Sequence, residues 1–121
     1  MDFEKILQYA VENSASDIHL SPNLSVFFRI HGKMVALGEK ISNTEIVNHS
    51  ISILNQKQQE VLEEERHTDF VYTSKDNHRF RGNAYYTRDG LVLALRMIPD
   101  KIPNFETIGL PKFVLDEIMA F

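Results

Sequence analysis

The stretch HRFRGNAYYTRDGLVLALRMI, residues 78–98, decides how this chain folds. Its first half alternates polar or cationic residues with apolar or small ones, which is typical of a half-buried β-strand. Asp89-Gly90 is a turn dipeptide, and the residues after it are apolar apart from one arginine. We therefore predict a β-hairpin whose first strand carries Arg79 and Arg81 on the same face.

The register of this hairpin decides where its arginines lie. If Asp89-Gly90 forms the two-residue loop of a type I′ turn, Asn83 pairs with Arg96 on the second strand. Arg81 then becomes the diagonal neighbour of Arg96, and Arg79 lies on the same face. A loop longer by one residue would send Arg96 to the other face, so the prediction depends on the turn.

Three guanidinium groups on one face require a counter-charge. Arginine binds carboxylate or phosphate oxygens in pairs, so a bound phosphate would satisfy the cluster. The alternative is that the arginines pair with carboxylates elsewhere in the chain, such as Asp17, Asp69 or the acidic run at residues 63–65. The residues by themselves leave both interpretations open.

Helical and extended patterns alternate along the rest of the chain. Apolar residues at helical spacing predict helices over residues 2–12, after a capping box that starts at Ser42, and over residues 56–66, whose glutamates face solvent. Alternation predicts strands on both sides of a His31-Gly32 turn and over residues 69–73. The expected fold class is α+β.

The end of the chain predicts one more helix. Pro111 is placed to open it, and the helix reaches Phe121 without a glycine, an asparagine or a basic last turn. We expect that the natural chain continues beyond Phe121.

Composition excludes several classes of protein. At 121 residues and 14.0 kDa the chain suits one domain with a single core, and it has no cysteine for a disulfide or thiolate site. The formal net charge of -4 argues against nucleic-acid binding, although Arg79, Phe80, Arg81, Tyr85 and Tyr86 supply basic and aromatic groups and Phe80 faces inward. No apolar run approaches membrane-spanning length and no secretory signal is present, so we expect a cytoplasmic protein.

The sequence lacks the motifs that would let the chain hydrolyse a nucleotide by itself. The pattern Gly-x-x-x-x-Gly-Lys-Ser/Thr is absent, because the only Gly-Lys pair, Gly32-Lys33, is followed by Met34. Asp17 and His19 share a strand face, but two side chains do not make a metal site, and we expect no metal ion there. An arginine cluster can contact phosphates without cleaving them, so we expect an accessory to chemistry.

Five short motifs occur in order along the chain: ASDIHL at 15–20, RIHG at 29–32, RFRGN at 79–83, RMIP at 96–99 and IGLP at 108–111. Together they resemble the N-terminal domain of the type IV pilus retraction ATPases, in the secretion ATPase superfamily. The resemblance implies a PAS-like α+β domain, an antiparallel sheet flanked by helices, over residues 1–111. Residues 112–121 would then start the connection to a RecA-like ATPase core that this chain does not contain.

The resemblance also implies a function. Such motors are homohexameric rings that drive twitching motility, and they lie in the cytoplasm against the inner face of the membrane, with the platform proteins of the pilus as partners. ATP binds between the two domains, with Mg²⁺ held by the core and no cofactor held tightly by the N-terminal domain. The residues implied to reach the phosphates are Arg81 and Arg96, the catalytic candidates, and then Arg79 and Arg29.

Two positions depart from the family pattern. His31 stands where an acidic residue usually precedes the glycine, and Gly82 stands where a β-branched residue is common. The short N-terminus favours the retraction branch over the assembly and type II secretion branches. The alternative function is a free-standing, non-enzymatic PAS-like module that binds a ligand or a partner.

Overall fold

The computed structural model describes residues 2–99, which form three helices and six strands. The helices and strands predicted before residue 99 are confirmed. The predicted final helix, and the last motif at residues 108–111, lie outside the described residues. The elements in chain order are α1 (Phe3–Glu12), β1 (Ala15–Leu20), β2 (Leu24–Ile30), β3 (Lys33–Ile41), α2 (Asn43–Ile53), α3 (Gln56–Glu65), β4 (His67–Thr73), β5 (Arg79–Thr87) and β6 (Gly90–Ile98).

The six strands join one antiparallel sheet in the order β3-β2-β1-β6-β5-β4. The first three strands run from the centre of the sheet to one edge, and the last three run from the other edge back to the centre. The two halves meet where β1 pairs with β6. The expected α+β class, an antiparallel sheet flanked by helices, is thus confirmed.

One face of the sheet packs against the helices and forms the hydrophobic core. Ile6 of α1 and Ile46 of α2 are fully buried there, together with Phe28 and Phe80 from the strands. Phe80 therefore faces inward, as predicted, and is not available to stack on a nucleic-acid base. Because successive side chains of a strand point to opposite faces, the charged residues that alternate with this core lie on the other face.

Each helix begins at a polar capping residue. The Asp2 carboxylate caps α1, and the Ser42 hydroxyl accepts a hydrogen bond from the Glu45 amide at 3.2 Å, as the predicted cap requires. The sequence analysis missed the reciprocal capping box between Asn55 and Gln58 at the start of α3. No helix within residues 2–99 is long and apolar enough to cross a membrane.

The predicted turn of the β5–β6 hairpin is wrong by one position. Thr87 pairs with Gly90, so the two-residue loop is Arg88-Asp89 and not Asp89-Gly90. A type I′ turn requires a positive φ at both loop residues, and neither Arg88 nor Asp89 has one. Gly90 instead has φ +135 and packs against the start of α2, where a Cβ would collide with the Asn43 side chain.

The error in the turn changes the partners of the arginines but not their face. Asn83 pairs with Ala94 rather than with Arg96, and Arg96 lies directly opposite Arg81. Every pairing moves by two residues, which is the period of a strand, so each side chain keeps the face that was predicted for it. Arg81 and Arg96 are therefore closer neighbours than the sequence analysis placed them.

The other predicted hairpin turn is confirmed. Ile30 pairs with Lys33, and the intervening His31 and Gly32 have φ values of 50 and 78. A positive φ at both positions is the type I′ geometry, which few side chains adopt and which histidine tolerates better than most. The type I′ turn therefore accommodates a histidine at position 31.

Gly82 is a core-facing residue of β5 that lies directly beside Phe70 of β4. A Cβ atom at Gly82 would overlap the ring of Phe70, which covers the glycine and is itself buried. The ring fills the space in which a side chain at position 82 would lie, so the glycine and the phenylalanine form one packing unit.

Candidate functional site

A row of charged side chains crosses the four inner strands of the sheet, β2, β1, β6 and β5, on the face opposite the core. Arg29 of β2 pairs with Asp17 of β1, Asp17 pairs with Arg96 of β6, and Arg96 pairs with Arg81 of β5. We call these four residues the charged row. Its order of charges is positive, negative, positive, positive, because the sheet registers place each pair directly opposite.

Asp17 contacts the arginines on both sides of it. Its Oδ1 accepts a hydrogen bond from Nε of Arg96 at 3.2 Å, and its Oδ2 lies 3.6 Å from Nε of Arg29. The Ser16 hydroxyl also donates to Oδ2 at 2.7 Å. The alternative that the sequence left open, pairing of the arginines with a carboxylate, is therefore correct for Arg96 and Arg29.

Asp17 is held in its ionised form. Partial burial works against ionisation, but the hydrogen bonds from Ser16 and Arg96 outweigh it, and the charges of Arg96 and His19 add to them. The net effect is that the pKa of Asp17 lies below its usual value of 3.8. Asp17 is thus a fixed negative charge at neutral pH.

Arg81 and Arg96 line a shallow depression of about 470 Å³ in the open face of the sheet. On the next register row the Asn83 amide donates to Oδ1 of Asp69 at 2.7 Å, so that carboxylate is also engaged. The lining contains the guanidinium groups of Arg81 and Arg96 together with the carboxylates of Asp17 and Asp69, and a pair of guanidinium groups can bind the oxygens of an oxyanion. The depression is also lined by His19, Ala94 and Leu95.

The remaining candidate arginines lie further out. Arg79 pairs with Thr73 and Ile98 at the start of β5, on the same face as Arg81 but outside the described lining of the depression. Arg29 lies beyond Asp17 on the opposite side. The structure therefore brings Arg81 and Arg96 together, adds Arg29 through Asp17, and leaves Arg79 as the outermost of the four.

Sequence reasoning missed the place of Asp17 in the site. The alternation of residues 15–20 did predict that Asp17 and His19 share a face, and the structure confirms that face. Which strands flank β1 was not readable from the sequence, so Asp17 was only one of several carboxylates that the arginines could reach. Within residues 2–99 no group of three or more acidic, histidine or cysteine side chains is placed to hold a metal ion.

No family model matches the chain. The chain is 33% identical over 119 residues to the uncharacterised protein YggR of Escherichia coli, and the match covers 98% of this chain. It is 30% identical over 111 residues to the type IV pilus retraction ATPase PilT of Pseudomonas aeruginosa, which covers 91% of this chain. A solved structure of the pilus retraction motor PilT with bound ADP matches 96% of this chain with a TM-score of 0.82 and 32% identity. This chain is homologous to the N-terminal domain of the PilT-like secretion ATPases.

The match to the PilT-like ATPases is to their N-terminal domain, as the five motifs predicted. The chain spans about a third of the length of these relatives: 36% of YggR, 32% of the Pseudomonas PilT and 34% of the PilT chain in the solved structure. The sheet that carries the charged row is thus part of the fold that this PilT-like chain shares with the motor.

Proposed function

We propose that this chain is the N-terminal domain of a pilus-retraction motor, in which Arg81 and Arg96 contact the phosphates of ATP. The observation that carries the proposal is the direct pairing of Arg81 with Arg96 on the open face of the sheet. The matching PilT structure supports it, because that protein was solved with bound ADP. Residues 112–121 begin the connection to the RecA-like core that binds the nucleotide.

The charge balance of the row favours an anion as its guest. The row contains three arginines, Arg29, Arg81 and Arg96, and one carboxylate, Asp17. The Asp69 carboxylate also lines the depression, so arginines outnumber carboxylates by one among these five side chains. Like charges on directly opposite strand positions repel, and a phosphate group that binds both guanidinium groups relieves the repulsion. Arg81 and Arg96 then stabilise the negative charge of the transferred phosphoryl group, with Arg79 and Arg29 at the edges of the site.

The same proposal describes how the whole motor is assembled and how it moves. Six copies of the full protein form a cytoplasmic ring at the inner face of the membrane, and the core supplies the phosphate-binding loop and the Mg²⁺ ligands. The arginines close on ATP and release ADP, so that hydrolysis moves this domain against the core and pulls on the pilus platform. The chain on its own supplies no phosphate-binding loop and acts only together with that core.

The test is ATP turnover by the intact motor with Arg81→Ala or Arg96→Ala. Each substitution removes a donor to the transition state, so we expect kcat to fall by about 100-fold or more. Both side chains are exposed, and we expect the melting temperature of the motor to change little.

Arg88→Ala is the matched control, because Arg88 lies on the same hairpin but in its exposed loop. We expect wild-type turnover from this variant. Normal turnover by both Arg81→Ala and Arg96→Ala would rule out the proposed role of the arginines, whatever the control shows.

A further inference from the structure

The contacts of Asp17 engage only one edge of each arginine. In both Arg96 and Arg29 the nitrogen nearest the carboxylate is Nε, at 3.2 Å and 3.6 Å. A guanidinium group has five N–H donors in a rigid plane, so a partner at Nε restricts the plane of the group and leaves the outer edge, between the two terminal amino groups, for another partner. The side chain of Arg96 is 65% exposed, which leaves that outer edge accessible to solvent.

The carboxylate itself has little freedom. The side chain of Asp17 is only 14% exposed, and the Ser16 hydroxyl donates to Oδ2 at 2.7 Å. A carboxylate fixed in this way can act as a rigid reference point for the longer side chains on both sides of it. Asp17 lies on β1, between β2 and β6, so it reaches both neighbours without any change in the backbone.

Arg96 needs such a reference point because Arg81 lies directly opposite it. Without a partner on the other side, repulsion between the two guanidinium groups would favour side-chain conformations that carry them apart. The contact with Asp17 holds Arg96 at its own position in the row, where Arg96 and Arg81 both line the depression.

We infer that Asp17 is a positioning residue, which holds the Nε edges of Arg96 and Arg29 so that their outer edges present a preorganised site for a polyphosphate. The inference rests on the proposed function, of which it is a refinement: it names the residue that arranges the arginines before the phosphate arrives. Asp17 does not touch the phosphate, and its negative charge by itself opposes phosphate binding.

Because the negative charge of Asp17 opposes anion binding, the substitution Asp17→Asn has opposite expected effects under the two possible roles of Asp17. If Asp17 only balances charge, Asp17→Asn removes a repulsive carboxylate and tightens the binding of an anion, by about two- to fivefold for a partly screened charge. If Asp17 positions the arginines, the same substitution weakens binding even though it adds one unit of positive charge to the row.

The experiment uses the 121-residue chain labelled with ¹⁵N and inorganic tripolyphosphate as the probe. In the wild type we expect a separate, slowly exchanging Nε–H signal from Arg96, whose Nε–H donates to Asp17, and in Asp17→Asn we expect it to merge with the signals of solvated arginines. We expect tripolyphosphate to bind Asp17→Asn at least about threefold more weakly than it binds the wild type. Asp89→Asn is the control, since it makes the same change of net charge in the exposed hairpin loop and should bind as the wild type does.

Arg96→Lys is the second variant, and it keeps the charge at an exposed position while it removes the Nε–H and the planar fork. We expect it to lose affinity for tripolyphosphate by a factor similar to that of Asp17→Asn. The inference is overturned if the wild-type Nε–H signal of Arg96 already exchanges freely, or if Asp17→Asn binds as well as or better than the wild type. It is also overturned if Arg96→Lys binds normally, or if the wild type binds no tripolyphosphate.

These outcomes separate the inference from the proposed function. One outcome is a slowly exchanging Nε–H signal in the wild type, weaker binding in Asp17→Asn, and normal turnover of Arg96→Ala in the motor. It would keep Asp17 as the positioning residue of an anion site and would rule out a role of that site in ATP hydrolysis. Low turnover of Arg96→Ala with no effect of Asp17→Asn would do the reverse.

Discussion

Arg81 and Arg96 face each other across neighbouring strands, a pairing that like charges disfavour. Asp17 offsets part of this repulsion from the far side of Arg96, and its low pKa means that it does so throughout the neutral range. The residues of the open face are therefore arranged against local electrostatic preference, whereas the core face follows the usual rules. Conflict of this kind is typical of a binding site.

Packing at Gly82 gives a prediction at the same scale. Gly82→Ala places a Cβ inside the ring of Phe70, so we expect it to lower the free energy of unfolding by about 1–3 kcal/mol, measured by urea denaturation. Gly32→Ala is the comparison, because nothing lies near its Cβ and only the φ of +78 is unfavourable, at a cost of about 1 kcal/mol.

The double variant Gly82→Ala with Phe70→Leu separates the overlap from other effects of the new methyl group. A smaller side chain at position 70 makes room for the Cβ. We therefore expect the double variant to lose less stability than the sum of the losses in the two single variants. Simple additivity would mean that the ring does not set the requirement for glycine.

At the scale of elements, Glu4 attaches α1 to the hairpin formed by β4 and β5. Its carboxylate accepts hydrogen bonds from the Tyr72 hydroxyl at 2.6 Å and from the Lys75 amide at 2.9 Å. α1 is thus joined to β4 and to the turn that follows it, although these segments are about 70 residues apart in the chain. Burial and the nearby Glu4 raise the pKa of Tyr72 to about 12.

This attachment predicts how stability changes in alkali. The folded state raises the pKa of Tyr72 above the ordinary value of 10, so the protonated phenol stabilises the fold below pH 10, and this contribution is lost as the pH rises through about 12. We expect Tyr72→Phe to be less stable at pH 7 by about 1 kcal/mol, because the Glu4 carboxylate loses a donor.

Between pH 10 and 12 Tyr72→Phe should lose stability less steeply than the wild type, as measured by urea denaturation at a series of pH values. Glu4→Gln removes the charge but keeps an acceptor, and we expect its alkaline slope to be intermediate. An identical alkaline slope for the wild type and Tyr72→Phe would contradict the prediction.

At the scale of the whole molecule, the pairing of β1 with β6 joins two three-stranded halves into one sheet. Both strands are hydrogen-bonded on each side, while β3 and β4 each have one open edge among the described residues. We expect the amides of β1 and β6 to exchange with deuterium only on global unfolding and to be the slowest in the domain. Faster exchange in β1 than in β3 would show that the two halves open independently.

The charged row crosses this same junction, since Arg29 and Asp17 lie in the first half and Arg96 and Arg81 in the second. A site built across the junction exists only when the two halves are joined. Binding of an anion to the row therefore reports on the assembled sheet and not on either hairpin, and it should disappear with the same denaturation midpoint as the fold.

How much of this was predictable depends on the range of each interaction. The helices, the strands, the turn at His31-Gly32 and the inward position of Phe80 follow from residue patterns a few positions long. The common face of Arg79, Arg81 and Arg96 follows from the same two-residue period, and it survived an incorrect turn because the error moved every pairing by a whole period.

The sequence by itself thus determined the fold class, the faces of the strands and, through five ordered motifs, the family. Only the tertiary structure decided that Arg81 lies opposite Arg96 and that Asp17 lies between Arg96 and Arg29. The physical reason is that the bond from Arg96 to Asp17 joins residues 79 positions apart, across a pairing of strands that no local pattern specifies. The turn at Arg88-Asp89 was predicted one position too late, because Gly90 is not a loop residue but pairs with Thr87 and packs against Asn43 of α2.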